Sequence, residues 1–252
     1  MDHAAFEIIG AERPRNWVTL ADHATNIVPE AVNGGDLGLP PEDMARHIAW
    51  DPGARGVAIA IAEALDGPYI GTRYSRLVID PNRAEDDPTV LMKLYDGSII
   101  PGNRHAGSAE KERRLAAYHR PYHDALANLL SEAEDAGQTP SLISIHSFTP
   151  QLRNRPMRPW HVGLLWDRDD RILRPLLARL EREDFCVGDN EPYTGSLTGD
   201  CMWRHGTRCG RPHILIEVRN DLIQTPEQQA KWGTDLARWI TEAMTPAMME
   251  TA

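Results

Sequence analysis

Residues 141–150 read SLISIHSFTP, and the reading of this stretch decides the fold. Residues 142–146, LISIH, form a short run of β-branched and apolar side chains that suits a strand buried on both faces. An imidazole, His146, stands at its carboxyl end, with Ser147 and Thr149 beside it and Pro150 closing the segment. In open α/β sheets ligands bind beyond the carboxyl ends of the strands, so a titratable group there belongs to a candidate site.

Working outward, strand-like and helix-like segments alternate along the chain, the pattern of an α/β domain. Further strands are expected at 17–21 (WVTLA), 75–80 (SRLVID), 161–166 (HVGLLW) and 213–218 (HILIEV). Helices are expected at 41–48, which opens on Pro41 and two acids, and at 53–65, which is Ala-rich. A long helical pattern covers 108–136, with Ser108 as its N-cap and Pro121 kinking or splitting it. Two more are expected at 171–183 and 226–244. Residues 186–212 read as a long loop rich in Gly and Pro, of a length that usually serves function. With neither repeat nor low-complexity linker, residues 1–252 are expected to form one domain.

Composition bounds the partners. The chain carries 37 acidic and 27 basic residues, a formal charge of −10, which argues against nucleic acid or an anionic membrane. A small anionic substrate remains compatible, since one or two inward-facing arginines can hold it. No run approaches the roughly 18 apolar residues of a membrane span, and the N-terminus lacks the pattern of a secretory leader, so a cytoplasmic location is expected. The three cysteines, Cys186, Cys201 and Cys209, read as reduced thiols.

The expected strand ends share one chemistry. They run into Asp22, His23 and Asn26 (ADHATN), Asp80, Asn82 and Arg83 (IDPNR), His146, and Glu217 with Arg219 (EVRND). Neutral imidazoles of His23 and His146 are potential metal ligands, Asp80 can orient a ligand by accepting its other ring N–H, and an arginine can grip a carboxylate in bidentate fashion. His119 and His123 lie four apart in YHRPYH, but no Glu stands between them as in a zincin helix, and they read as a packed face lining the crevice.

In order along the chain, DHATNIVPE, HIAWDPGA, SRLVIDPNR, YHRPYH, SIHSFTP, GDNEPYTG and IEVRNDLI span residues 22 to 223. In these segments the chain resembles the N-formylglutamate amidohydrolase family, relatives of the zinc carboxypeptidases and aspartoacylase. The resemblance implies a single α/β domain with a mixed, mostly parallel sheet flanked by helices. It implies one zinc ion, or another divalent metal, held by His23 and His146, with Asp80 behind His23, Asn82 and Arg83 on a substrate carboxylate, and Glu217 as general base. The relatives carry a Glu ligand three residues after the first His, where this chain has Asn26. An amide oxygen is a poorer zinc ligand than a carboxylate, so either Asn26 ligates, or Asp22 or Asp51 completes the site, or water does.

The implied activity is hydrolysis of a small N-acyl amino acid, most simply N-formyl-L-glutamate to formate and glutamate, in the setting of histidine degradation. Arg104 and Arg219 are candidates for a second substrate carboxylate, and Tyr193 and His205 for a loop that closes over the site. The competing expectations are a related zinc deacylase or carboxypeptidase, a binding protein on the same scaffold, and a cysteine nucleophile at Cys201 or Cys209. The partner is a small molecule, and the chain is expected as a monomer or small homo-oligomer.

Overall fold

The computed structural model describes residues 3–249, and side chains through residue 244; the outermost residues of the expected 1–252 domain lie outside that span. The elements are β1 (Phe6–Ile9), β2 (Trp17–Ala21), α1 (Pro41–Met44), α2 (Ala54–Ala64), β3 (Tyr69–Thr72), β4 (Leu94–Tyr95), β5 (Ser98–Ile99) and α3 (Ser108–Arg114). There follow α4 (Arg120–Asp135), β6 (Ser141–Phe148), β7 (Val162–Leu165), α5 (Leu173–Leu180), β8 (Val187–Asp189), α6 (Cys201–His205), β9 (His213–Arg219) and α7 (Pro226–Met249).

Seven strands form one mixed sheet in the order β1-β3-β2-β6-β9-β7-β8. Its centre, β3-β2-β6-β9, is parallel, while β1 and β7 join antiparallel to β3 and β9. The parallel core explains why β6 reads as a nearly continuous apolar run: both of its faces are covered. Ile143, Ile145, Ile214 and Ile216 point to the face packed by α2, α5 and α7. Leu142 and Leu215 point to the other face, against Tyr122, Leu126 and Leu129 of α4. Each such fully buried Leu or Ile stabilises the fold by ~1.5–3 kcal/mol. Among the described residues no helix is long and apolar enough to cross a membrane.

The structure departs from the sequence reading at several elements. Residues 75–80 are a buried loop and not a strand. Leu77, Val78 and Ile79 are fully buried in a second core beside the sheet. Two of these carbonyls are satisfied by side chains: Asn103 Nδ2 donates to Leu77 O at 2.7 Å and Arg114 Nη1 to Val78 O at 2.9 Å. Between α3 and α4, residues 115–119 form a π-helical turn, so Pro121 arrives at the first turn of α4 and breaks no helical bond. Helix α3 starts at Ser108 itself, with Gly107 as cap and no side-chain capping bond. Helix α1 stops after one turn. The edge strands β1 and β8, the central β3, the β4–β5 hairpin and helix α6 were not expected.

Helix α2 is joined to the centre of the molecule through Asp51-Pro52-Gly53. The Asp51 N–H donates to His23 O at 3.0 Å, and Gly53 adopts φ 85° with no room for a side chain, since a Cβ would stand 2.4 Å from Ile223 O. Gly53→Ala is therefore expected to destabilise the protein by about 2 kcal/mol or more, read as a lower urea midpoint; an unchanged midpoint would contradict this account of the turn.

Candidate metal centre and active site

Three parallel strands deliver the polar groups. After β2 the chain turns at once, placing Asp22 and His23 above the sheet edge. On β6, Leu142, Ser144 and His146 alternate onto the α4 face; on β9, His213, Leu215 and Glu217 do the same. The register sets His146 directly opposite Glu217 on the neighbouring strand. The rings of His23 and His146 meet edge to face, with centroids 5.0 Å apart.

The two imidazoles are held in the same way. His23 Nε2 lies 2.7 Å from Asp80 Oδ1, and His146 Nε2 lies 3.2 Å from Asp22 Oδ2. Both Nδ1 atoms face one oxygen, Asp51 Oδ2, at 3.4 and 2.8 Å. If each Nε2–H donates outward to its carboxylate, both Nδ1 lone pairs face the shared space, the orientation that metal-ligating histidines take. One ligand atom from each of His23, Asp51 and His146 lies within 4.8 Å of the others. The outer carboxylates are themselves secured. Tyr122 donates to Asp22 Oδ1 at 2.6 Å, and Arg76 donates to Asp80 Oδ2 at 3.0 Å and to Asp51 Oδ1 at 3.4 Å.

The donor set fits a divalent cation on two further grounds. Asp22, Asp51 and Asp80 are all buried, and the guanidinium of Arg76 bonds to Asp51 and Asp80. Three carboxylates against one guanidinium leave two negative charges in a region of low dielectric, the charge of one divalent ion. Beside them Glu217 is buried and its Oε2 has no hydrogen-bond partner, an orphaned acceptor that calls for a ligand or a water.

Titration follows from the same contacts. Burial alone would raise Asp22, but the His146 hydrogen bond and charge outweigh it and hold the carboxyl at about 2. Burial disfavours charge on His146, yet its hydrogen bonds to the carboxylates of Asp22 and Asp51 raise its pKa well above the usual value. Burial lifts Glu217 to about 7, opposed chiefly by the charge of His146. Burial likewise lifts Asp200 to about 7.

The cluster opens into a cavity of about 160 Å³, lined among others by His23, Asp51, His146, Glu217, Asn82, Arg83 and Tyr193. That is small beside ordinary ligand pockets of roughly 300–1,000 Å³. Other expected residues lie elsewhere. Asn26 is half-buried outside the cavity, its Nδ2 donating to Met44 O at 2.9 Å, and the carboxylate that meets both imidazoles belongs to Asp51. Arg104 is exposed at the end of the 101–103 turn, outside the cavity. Arg219 is captured by Asp221 Oδ1 at 2.8 Å, two residues along, and by the Trp160 carbonyl at 3.2 Å. His205 stacks on His123, with Nε2 2.9 Å from His123 Nδ1, behind the cavity wall and close to the buried Cys201. His119 and His123 brace the 80–83 loop from behind, through the carbonyls of Arg83 at 3.0 Å and Pro81 at 2.9 Å.

Several lining residues were not foreseen: Arg76, His47, Tyr95, Phe148 and Asp200. Arg76 has a signal in the sequence, its spacing of four from Asp80, which was masked by reading 75–80 as a strand. Asp200 caps α6 by accepting the Trp203 N–H at 2.7 Å, and its second oxygen is left to the cavity side.

Two outcomes follow from this geometry. Asp51→Asn should weaken divalent-metal binding by more than the tenfold to hundredfold typical of outer carboxylates, while Asn26→Ala should change it little; metal titration of both variants checks this, and the reverse order would return the third ligand to Asn26. Because His146 is protonated well above its usual range when only carboxylates surround it, a cation must displace that proton. Binding should tighten as pH rises and release protons, measurable by calorimetry in buffers of different ionisation enthalpy; pH-independent binding would contradict it.

A search of curated proteins gives no match. Among solved structures, a gene product of Agrobacterium tumefaciens is 30% identical, with a TM-score of 0.93 over 98% of this chain and 97% of that one. An N-formylglutamate amidohydrolase from Ralstonia eutropha JMP134 shares the fold at 20% identity and a TM-score of 0.66, over 95% of this chain and 97% of that one. A metallo-carboxypeptidase from Pseudomonas aeruginosa aligns at 13% identity and a TM-score of 0.40, over 91% of this chain and 56% of that one. The sequence model of N-formylglutamate amidohydrolase matches residues 15–224, and the chain belongs to that family.

Proposed function

We propose that the protein hydrolyses the amide bond of a small N-acyl amino acid, with N-formyl-L-glutamate the leading candidate, using one zinc ion held by His23, His146 and Asp51. The observation that carries this reading is the partnerless buried Oε2 of Glu217, set across from His146 on the adjoining strand. When bound, the zinc supplies Lewis acidity and lowers the pKa of water. Glu217 Oε2 accepts the proton of the attacking water and returns it to the leaving nitrogen. Asp80 and Asp22 keep the imidazoles in the tautomer that leaves Nδ1 free. Arg83, which lines the cavity and has no carboxylate partner, binds the substrate carboxylate; its Nη1 is steadied by the Asn82 carbonyl at 2.7 Å. Asn82 accepts the Cys201 N–H at 3.0 Å and so ties this loop to α6.

The competing readings fare less well. A carboxypeptidase needs room for a peptide, which a cavity of about 160 Å³ does not offer. Cys201 is fully buried and burial pushes its thiol up, while Cys209 lies outside the cavity, so neither suits a thiolate nucleophile.

Dialysis against a chelator should abolish deformylation and added zinc should restore it, whereas Glu217→Gln should keep the metal and lose about a hundredfold to ten-thousandfold in kcat; chelator-resistant turnover would overturn the proposal. Glu217 must be ionised to take a proton. Burial sets it at about 7 and a neighbouring cation lowers it from there, so kcat/KM should rise with pH along a limb below pH 7. A limb centred above 7 would contradict that assignment.

A further inference from the structure

Between β6 and β7 the chain runs QLRNRPMRPW over residues 151–160, with three arginines and no acid. Most arginines of this acidic protein sit in ion pairs, yet among the described residues Arg153, Arg155 and Arg158 form none. Arg153 and Arg155 are exposed and Arg158 is half-buried. The guanidinium carbon of Arg158 lies 5.0 Å from the centroid of the Tyr193 ring and 5.7 Å from that of Phe148. Both rings line the catalytic cavity, and Arg158 Nη1 is tied to the Thr149 carbonyl at 3.1 Å. The aromatic contacts and the carbonyl hold the guanidinium against three residues of the cavity wall, and among the described residues it has no carboxylate partner.

The other guanidiniums divide cleanly. Arg76 is committed to Asp80 and Asp51, and Arg219 to Asp221. Arg83 is free of carboxylates and lines the inner wall. One uncommitted guanidinium therefore lines the cavity, and a second packs against three of its lining residues. With the aspartates already balanced by Arg76 and the ion, neither centre nor ion is left to compensate a dianionic substrate, so each of its carboxylates, taken out of water, calls for a cation of its own. We propose that Arg158 binds the second carboxylate of a dicarboxylic N-acyl amino acid whose first carboxylate is held by Arg83. Arg153 and Arg155 add a local positive field that draws the dianion to the mouth of an otherwise negative molecule. This rests on the amidohydrolase reading above and names the residue that reads the substrate's second charge.

The test compares N-formyl-L-glutamate with N-formyl-L-glutamine, which differ by one charge at nearly constant shape, on the zinc-loaded full chain. Wild-type protein should favour the glutamate in kcat/KM by about tenfold or more, the scale of one charge-assisted hydrogen-bonded pair. Arg158→Met keeps an apolar side chain against the rings and removes the charge. Its loss on glutamate should exceed its loss on glutamine by about tenfold, mainly in KM, and Arg158→Lys should recover part of the difference. Rising ionic strength should lower wild-type kcat/KM for the glutamate more than for the glutamine. Equal losses on both substrates, or a wild type that does not distinguish them, would overturn the assignment of Arg158 while leaving amide hydrolysis standing. A wild type that hydrolyses neither would overturn the amidohydrolase reading and this assignment with it.

Discussion

Two imidazoles and three aspartates share one buried space, and everything else in the molecule is arranged around that constraint. Asp22, Asp51 and Asp80 are removed from water, where isolated carboxylates are costly, and only Arg76 opposes them with a permanent charge. A divalent ion would balance the remainder. The protein spends much of its architecture on fixing these groups: β2 positions Asp22 and His23, β6 positions His146, the Gly53 turn positions Asp51, and Tyr122 of α4 reaches through the second layer to hold Asp22. The parallel sheet matters because it brings three strand ends to one side, and because its register sets Glu217 against His146 without any further device.

The same arrangement accounts for the division of labour among carboxylates that resemble one another in sequence. Asp51 faces both Nδ1 atoms. Asp22 and Asp80 each face one Nε2 and so govern tautomer and basicity. Glu217 is left with an oxygen that bonds to nothing in the protein. Four acids thus take three different roles, set by what each one touches.

Much of this was legible in the residues. The strand β6, its terminal His146, the strand β9 with Glu217, and the pairing of His23 with Asp80 all follow from segments that keep their chemistry at strand ends. The sequence left the third ligand open between Asn26, Asp22, Asp51 and water, because Asn26 stands where the resemblance implies a Glu; the carboxylate that meets both histidines is that of Asp51, 28 residues beyond His23. Only folding brings that turn back. The run LVID at 77–80 looked like a strand because it is wholly apolar up to its aspartate; its burial is real, but Asn103 and Arg114 satisfy two of its carbonyls in place of a neighbouring strand. Arg104 and Arg219 were plausible carboxylate binders by type. Arg219 is disqualified by an acid two residues away, and Arg104 by its position beside the second core. Arg158 drew no notice because the stretch that carries it has neither periodicity nor a motif.

The central claim is that one cation sits between the Nδ1 atoms of His23 and His146 with Asp51 as the third protein ligand. Anomalous diffraction at the zinc edge from crystals of the zinc-loaded protein tests it most directly. The account predicts a single strong peak bonded to those three residues, with Glu217 adjacent to the ion's open side. A peak bonded to Asn26 or to the Nε2 atoms, or located away from His23 and His146 altogether, would contradict it.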